Sequence, residues 1–136
     1  MSVADAFFDT SVLVCLLSGD APRADRVEEL LLRRGTLNIQ VLNEFAAVAL
    51  RKRALTLVEL QDFLRSIREL CITQPLTIET HERGLEIVER YGYSLYDSMI
   101  IAAALQAECR TLYSEDLQHG QVIDKRLAVI NPFVSK

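Results

Sequence analysis

The spacing of apolar residues changes abruptly at Asp9. Before it, Ala6-Phe7-Phe8 is a short apolar run that suits a buried strand. After it, Val12, Leu13, Leu16 and Leu17 fit one face of a helix. A strand that passes at once into a helix is the opening half of a βαβ unit. In open α/β sheets the chemistry sits just beyond the carboxyl ends of the strands. Asp9 stands in that place, as the first of several acids expected to meet around a divalent metal.

The rest of the chain keeps alternating. Ser18-Gly19-Asp20-Ala21-Pro22 is a turn, with Pro22 suited to a helix start. A helix is expected from Arg23 to Arg34, with Val27, Leu30 and Leu31 inside and Gly35 ending it. Thr36 to Ile39 reads as a second strand. Val41 to Leu50 reads as a helix, closed by the basic run Arg51-Lys52-Arg53. Thr56-Leu57-Val58-Glu59 is a capping box that opens another helix. Its apolar face is Leu57, Leu60, Phe63, Leu64, Ile67 and Leu70.

Gln74 to Thr77 contains Pro75 and is expected as a third strand at a sheet edge. Glu79 to Tyr91 is an amphipathic helix with Leu85 and Val88 inside, and Gly92 stops it. Ser94 opens Leu95 to Ala107, which is apolar almost all round and must therefore be buried. Arg110 to Tyr113 is a fourth strand, Ser114 to Gly120 a polar loop, and Leu127 to Ile130 a fifth strand ended by Asn131-Pro132. This alternation predicts an α/β fold in three layers, α/β/α, around a parallel sheet of four or five strands. The 136 residues fit a single domain, 1–136.

Charge narrows the function classes. The net charge is −4, which counts against a generic basic nucleic-acid binder unless cations intervene. Two bound divalent ions would cancel it. The three cysteines, Cys15, Cys71 and Cys109, sit in apolar surroundings with no C-x-x-C spacing. They read as buried reduced thiols and suit a reducing cytosol, so the expected location is cytoplasmic. No apolar run is long enough for a membrane span. Val12 to Leu17 is apolar but lacks a basic leader and follows Asp5 and Asp9, so a signal peptide is not expected.

Four acids need individual weighing. Asp9 has an ordinary explanation as a helix cap, Glu44 as a surface acid near a helix N-terminus, Asp97 as the far end of a capping box from Ser94, and Asp116 as a turn residue. Two of them fit such roles poorly. Glu44 shares a helix face with Val41, Ala47 and Val48, and Asp97 shares one with Ile100 and Ile101. A carboxylate against an apolar face is costly unless something neutralises it. No basic residue lies between Arg34 and Arg51 or between Arg90 and Arg110. A hard divalent cation such as Mg²⁺ would serve, since it prefers oxygen ligands and keeps several waters. The placement is coherent: Asp9 and Asp116 follow strands, while Glu44 and Asp97 are expected in the first turns of helices leaving the same sheet edge.

With these residues in view, the sequence resembles a PIN-domain ribonuclease, most closely the bacterial VapC-type toxins. The resemblance covers nearly the whole chain. It rests on Phe8-Asp9-Thr10-Ser11-Val12-Leu13, Val41-Leu42-Asn43-Glu44-Phe45, Tyr96-Asp97-Ser98-Met99-Ile100-Ile101-Ala102-Ala103-Ala104 and Tyr113-Ser114-Glu115-Asp116-Leu117-Gln118-His119-Gly120. Val129-Ile130-Asn131-Pro132-Phe133 resembles the family's last strand and tail. The order and spacing of these motifs together carry the likeness. It implies a PIN-like fold and makes Asp9, Glu44, Asp97 and Asp116 the metal-binding, catalytic acids. It gives Thr10 or Ser11, and Ser114, supporting roles. One departure is Asn38, which stands near the place where a serine commonly ends the family's second strand.

The implied reaction is hydrolysis of an RNA phosphodiester with one or two Mg²⁺ or Mn²⁺ ions. The resemblance further implies a homodimer and a separate VapB-like antitoxin that covers the acidic site. Candidate RNA contacts are Arg23, Arg51, Arg53 and His119. The three arginines draw on the stretch from Arg23 to Arg53, where seven basic residues stand against four acids, and His119 is a loop histidine. Two other classes of α/β domain also use acids at a sheet edge. A receiver domain needs a lysine near its last strands, but none lies between Lys52 and Lys125, and Lys125 precedes the last strand. A haloacid-dehalogenase-type phosphatase needs an acid where Ser11 stands. A non-catalytic PIN-like interaction module is the remaining alternative.

Overall fold

The computed structural model describes residues 5–134. Six strands form one sheet: β1 Ala6–Phe8, β2 Thr36–Asn38, β3 Ile72–Gln74, β4 Thr111–Tyr113, β5 Val122–Ile123 and β6 Leu127–Ile130. They lie in the order β3-β2-β1-β4-β6-β5. All neighbours pair in parallel except β5, which runs antiparallel to β6 at the edge. The sheet thus has one strand more than the four or five expected. With only two residues, β5 leaves no periodic trace in the sequence.

The helices are α1 Thr10–Leu13, running on as a 3₁₀ turn Val14–Leu17, then α2 Ala21–Leu32, α3 Ile39–Arg51, α4 Leu57–Leu70, α5 Ile78–Tyr91 and α6 Leu95–Gln106. Right-handed crossovers put the helices between β1 and β3 on one face of the sheet and α5 and α6 on the other. Phe7 and Phe8 show what this achieves. Consecutive strand residues point to opposite faces, yet both are fully buried. Both faces of β1 are therefore covered, as a three-layer arrangement requires.

Local chemistry sets the element ends. Thr56 and Glu59 form the reciprocal capping box of α4, and Gly92 takes the left-handed conformation that ends α5. Phe45 of α3 stacks on Phe63 of α4, with ring centroids 5.1 Å apart. Asn38 closes β2 and caps α3, its Oδ1 accepting from Val41 N at 3.1 Å.

Several expectations need correction. Arg34, with φ 65°, makes the left-handed turn after α2 rather than Gly35. Gly35 is required for another reason: a Cβ there would run into the Phe8 ring. The third strand is Ile72–Gln74 and ends before Pro75, since proline cannot donate to the ladder, although it does lie at the sheet edge. In α5 the inner residues are Thr80, Gly84 and Ile87, and Leu85 points to solvent. Gly84 lets the Met99 side chain of α6 pack against the α5 backbone. Leu57, expected on the inner face of α4, is exposed because it lies in the first turn. The three cysteines are buried and form no disulfide among the described residues, and burial pushes the Cys71 and Cys109 thiols up to about 11. Among the described residues no helix is long and apolar enough to cross a membrane.

Candidate active site

The chain steps outward from β1 to β2 to β3, then returns to place β4 on the other side of β1. The strand order reverses between β1 and β4, and such a switch point is where open α/β sheets form their ligand crevices. Phe8 and Tyr113 are paired at this edge. Asp9 and Ser114, the next residue of each strand, therefore stand side by side. Asp9 N donates to Tyr113 O at 3.0 Å and continues the ladder by one rung.

Asp9 occupies the N-cap position of α1, but its side chain makes no capping bond. Its Oδ2 instead accepts from Ser114 Oγ at 2.8 Å and Ser11 Oγ at 2.9 Å. Each hydroxyl is used twice, donating to Asp9 and accepting a backbone N–H of the loop after β4. Ser114 Oγ accepts from Asp116 N at 3.1 Å, and Ser11 Oγ from Glu115 N at 3.0 Å. Two serines thereby tie the loop carrying Asp116 to the carboxylate of Asp9.

Glu44 lies in the second turn of α3, one turn later than expected. Nor does it lack partners. Its Oε1 accepts from Thr10 Oγ1 at 2.7 Å, and its Oε2 is 3.4 Å from Gln40 Nε2. Both partners are neutral, so the charge is oriented but not cancelled. Ala47 and Val48, on the same helix face, line an open hollow with Glu44 rather than the core. Asp97 lies in the first turn of α6, where its N–H donates to Ser94 Oγ at 3.2 Å. Among the described residues its carboxylate has neither hydrogen bond nor ion pair.

The four acids line a single hollow of about 600 Å³. Burial pushes Asp9 up to about 6, against the pull of the two serine hydroxyls, and the nearby charges of Asp116 and Asp97 raise it further. Asp116 is raised by burial, then by Asp97 and Glu115. Asp9, Asp97 and Asp116 therefore feel one another as like charges. Among the described residues no three Asp, Glu, His or Cys side chains enclose an ion as they stand. The donor set still fits a hard, partly hydrated cation held by few direct carboxylates. It consists of oxygens only, and Asp9 Oδ1 and both Asp97 oxygens have no protein donor among the described residues.

A family model described as PIN domain matches residues 6–124. The chain belongs to the PIN-domain family. Solved structures show the same fold. A toxin–antitoxin complex from Klebsiella pneumoniae aligns with TM-score 0.72 and 19% identity over 94% of this chain and 98% of that one. VapC20 of Mycobacterium tuberculosis, a sarcin-ricin loop cleaving toxin, aligns with TM-score 0.64 and 20% identity over 80% and 88%. No curated protein matches the chain at a significant level. Membership of the PIN family displaces the receiver and phosphatase readings.

The basic candidates separate in this PIN domain. Arg51 lines the hollow. Arg23 does not; it pairs with Glu115 Oε2 at 2.7 Å and lies over the Phe133 ring, 4.3 Å from its centroid. Arg53 lies past the end of α3 with φ 53° and is not part of the lining. His119 Nδ1 accepts from Asn131 N at 2.9 Å and pins the loop to the tail. Asn38, the departure from the family pattern, is buried and outside the lining.

Three polar lining residues are not among the candidates the sequence offers: Lys52, Tyr96 and Glu115. Lys52 looked like a helix-terminal charge. Tyr96 and Glu115 were overshadowed by the acids beside them, and that adjacency was the available signal.

Proposed function

We propose that this PIN domain, taken as one unit over residues 1–136, is a metal-dependent endoribonuclease and the toxin of a toxin–antitoxin pair. One observation carries the proposal: Asp9, Glu44, Asp97 and Asp116, from four distant segments, line one hollow at the switch point of the sheet. Family membership supports it. So do a structural relative seen in a toxin–antitoxin complex and another described as an RNA-cleaving toxin.

Asp9, Asp97 and Asp116, with Glu44, would hold Mg²⁺ or Mn²⁺. Such an ion, when bound, supplies Lewis acidity toward a phosphodiester oxygen and toward attacking water. The chain's own residues do the rest. Ser11 and Ser114 fix the Asp9 carboxylate, and Thr10 and Gln40 fix that of Glu44. Arg51 and Lys52, at the C-terminal end of α3, put positive charge on the wall of an otherwise anionic hollow. They are suited to the RNA backbone on either side of the scissile phosphate. Arg23 acts indirectly, holding Glu115 and the loop it belongs to.

The partners that go with this function are RNA, a cognate VapB-like antitoxin and a second copy of the chain, in the cytoplasm. Cleavage of total RNA by purified protein, with Mg²⁺, Mn²⁺ or excess chelator and beside Asp97→Asn, tests the proposal. Discrete fragments should need metal and vanish in the variant, which should remain folded. An Asp97→Asn protein that is destabilised yet still cleaves would refute the assignment. Absence of cleavage by wild type with either metal would favour a non-catalytic interaction module.

A further inference from the structure

A second hollow, of about 260 Å³, opens beside the acidic one. Its walls include the apolar side chains of Leu76, Leu95, Tyr96 and Met99, with Gln40 and His81 as polar groups. The two hollows are joined. Tyr96 lines both. Gln40 bridges them, its Nε2 lying 3.4 Å from Glu44 Oε2 and 3.4 Å from Tyr96 O. One continuous surface is therefore acidic at one end and apolar at the other.

Tyr96 is 66% exposed, and Leu76 and Leu95 are 48% and 43% exposed. Tyr96 immediately precedes Asp97, and both line the acidic hollow. A phosphate held over the acids therefore leaves a neighbouring group of the substrate at the tyrosine. In RNA that group is a nucleobase, planar and apolar on its faces with hydrogen-bonding edges. Unpaired bases stack on aromatic side chains and present their edges to amides and imidazoles. The hollow falls below the ~300–1,000 Å³ of drug-sized sites, which suits one ring system rather than a peptide segment.

We propose that the Tyr96 hollow receives one unpaired nucleobase, from the nucleotide next to the phosphate held over the acids. Tyr96 stacks on the base, Leu76, Leu95 and Met99 enclose it, and Gln40 and His81 meet its edge. The proposal rests on the ribonuclease reading of the acidic hollow and adds where that site senses its substrate.

Fluorescence anisotropy tests it, with Ca²⁺ as the ion. The probes are a short single-stranded RNA and a strand of equal length with the same sugar-phosphate backbone but no bases. Tyr96→Phe keeps the ring and should bind RNA within about twofold of wild type, whereas Tyr96→Ala should bind about tenfold more weakly. Neither change should alter binding of the baseless strand or thermal stability. Equal weakening for both strands would overturn the proposal by making the effect one of backbone contact. RNA binding unchanged in Tyr96→Ala, with an altered elution volume on size exclusion, would assign the face to a protein contact instead. Loss confined to Tyr96→Ala cannot arise unless wild type binds RNA. Failure of wild type itself to bind would therefore mark failure of the underlying ribonuclease reading.

Discussion

Asp9 shows most clearly how a single residue is set against its own comfort. It is almost fully buried, accepts only neutral donors and feels two other acids, and its pKa rises to about 6. The unfolded value is ~3.9, so the folded metal-free chain binds the proton more tightly. Stability contributed in this way is present at low pH and is lost as pH rises through about 6. The metal-free wild type should therefore be less stable than Asp9→Asn at neutral pH, by up to about 3 kcal/mol. That gap should close as pH falls toward about 4. Urea melts in chelator at several pH values measure it, and a gap that widens on acidification would contradict the account. Ser114→Ala removes a hydroxyl that lowers the Asp9 pKa, so it should push that pKa further up.

Among the elements, glycines give the sharpest contrast. A Cβ at Gly35 meets the rigid Phe8 ring and lies 3.1 Å from the Ala6 carbonyl oxygen. A Cβ at Gly84 meets the flexible end of Met99, which can swing aside. Gly35→Ala should thus cost about 1–3 kcal/mol by overpacking. Gly84→Ala should be nearly neutral, because Ala gains about 1 kcal/mol of helix propensity over Gly. Thermal melts of the two variants check the order. Gly84 also explains a limit of the sequence reading. The inner stripe of α5 is Thr80, Gly84 and Ile87, and two of its three members do not look apolar. Leu85 and Val88 therefore look like the stripe in the sequence. Signals that depend on specific chemistry were legible: the Thr56 capping box, the Gly92 stop and the all-round apolar α6. Strand limits were less so, because three-residue strands give periodicity little to work on.

For the molecule as a whole, the gathering of the four acids in one hollow was legible because topology repeats one rule. Each acid follows a strand or lies in the first two turns of a helix at one edge, and a parallel sheet gathers such positions together. What the sequence hid was the environment. Nothing in it distinguishes Glu44 facing a hollow from Glu44 facing the core, since Ala47 and Val48 serve as wall in one case and packing in the other. Nothing in it announces that Arg23 is occupied by Glu115 and Phe133 rather than free for RNA.

The proposed function requires the four acids to act jointly on one kind of cation. Calorimetric titration of Mn²⁺ into wild type, Asp97→Asn and Asp116→Asn tests it most directly. Wild type should bind, and each variant should bind at least about tenfold more weakly, a loss of about 1.4 kcal/mol or more. Binding that is equal in all three, or absent from a folded wild type, would contradict the account.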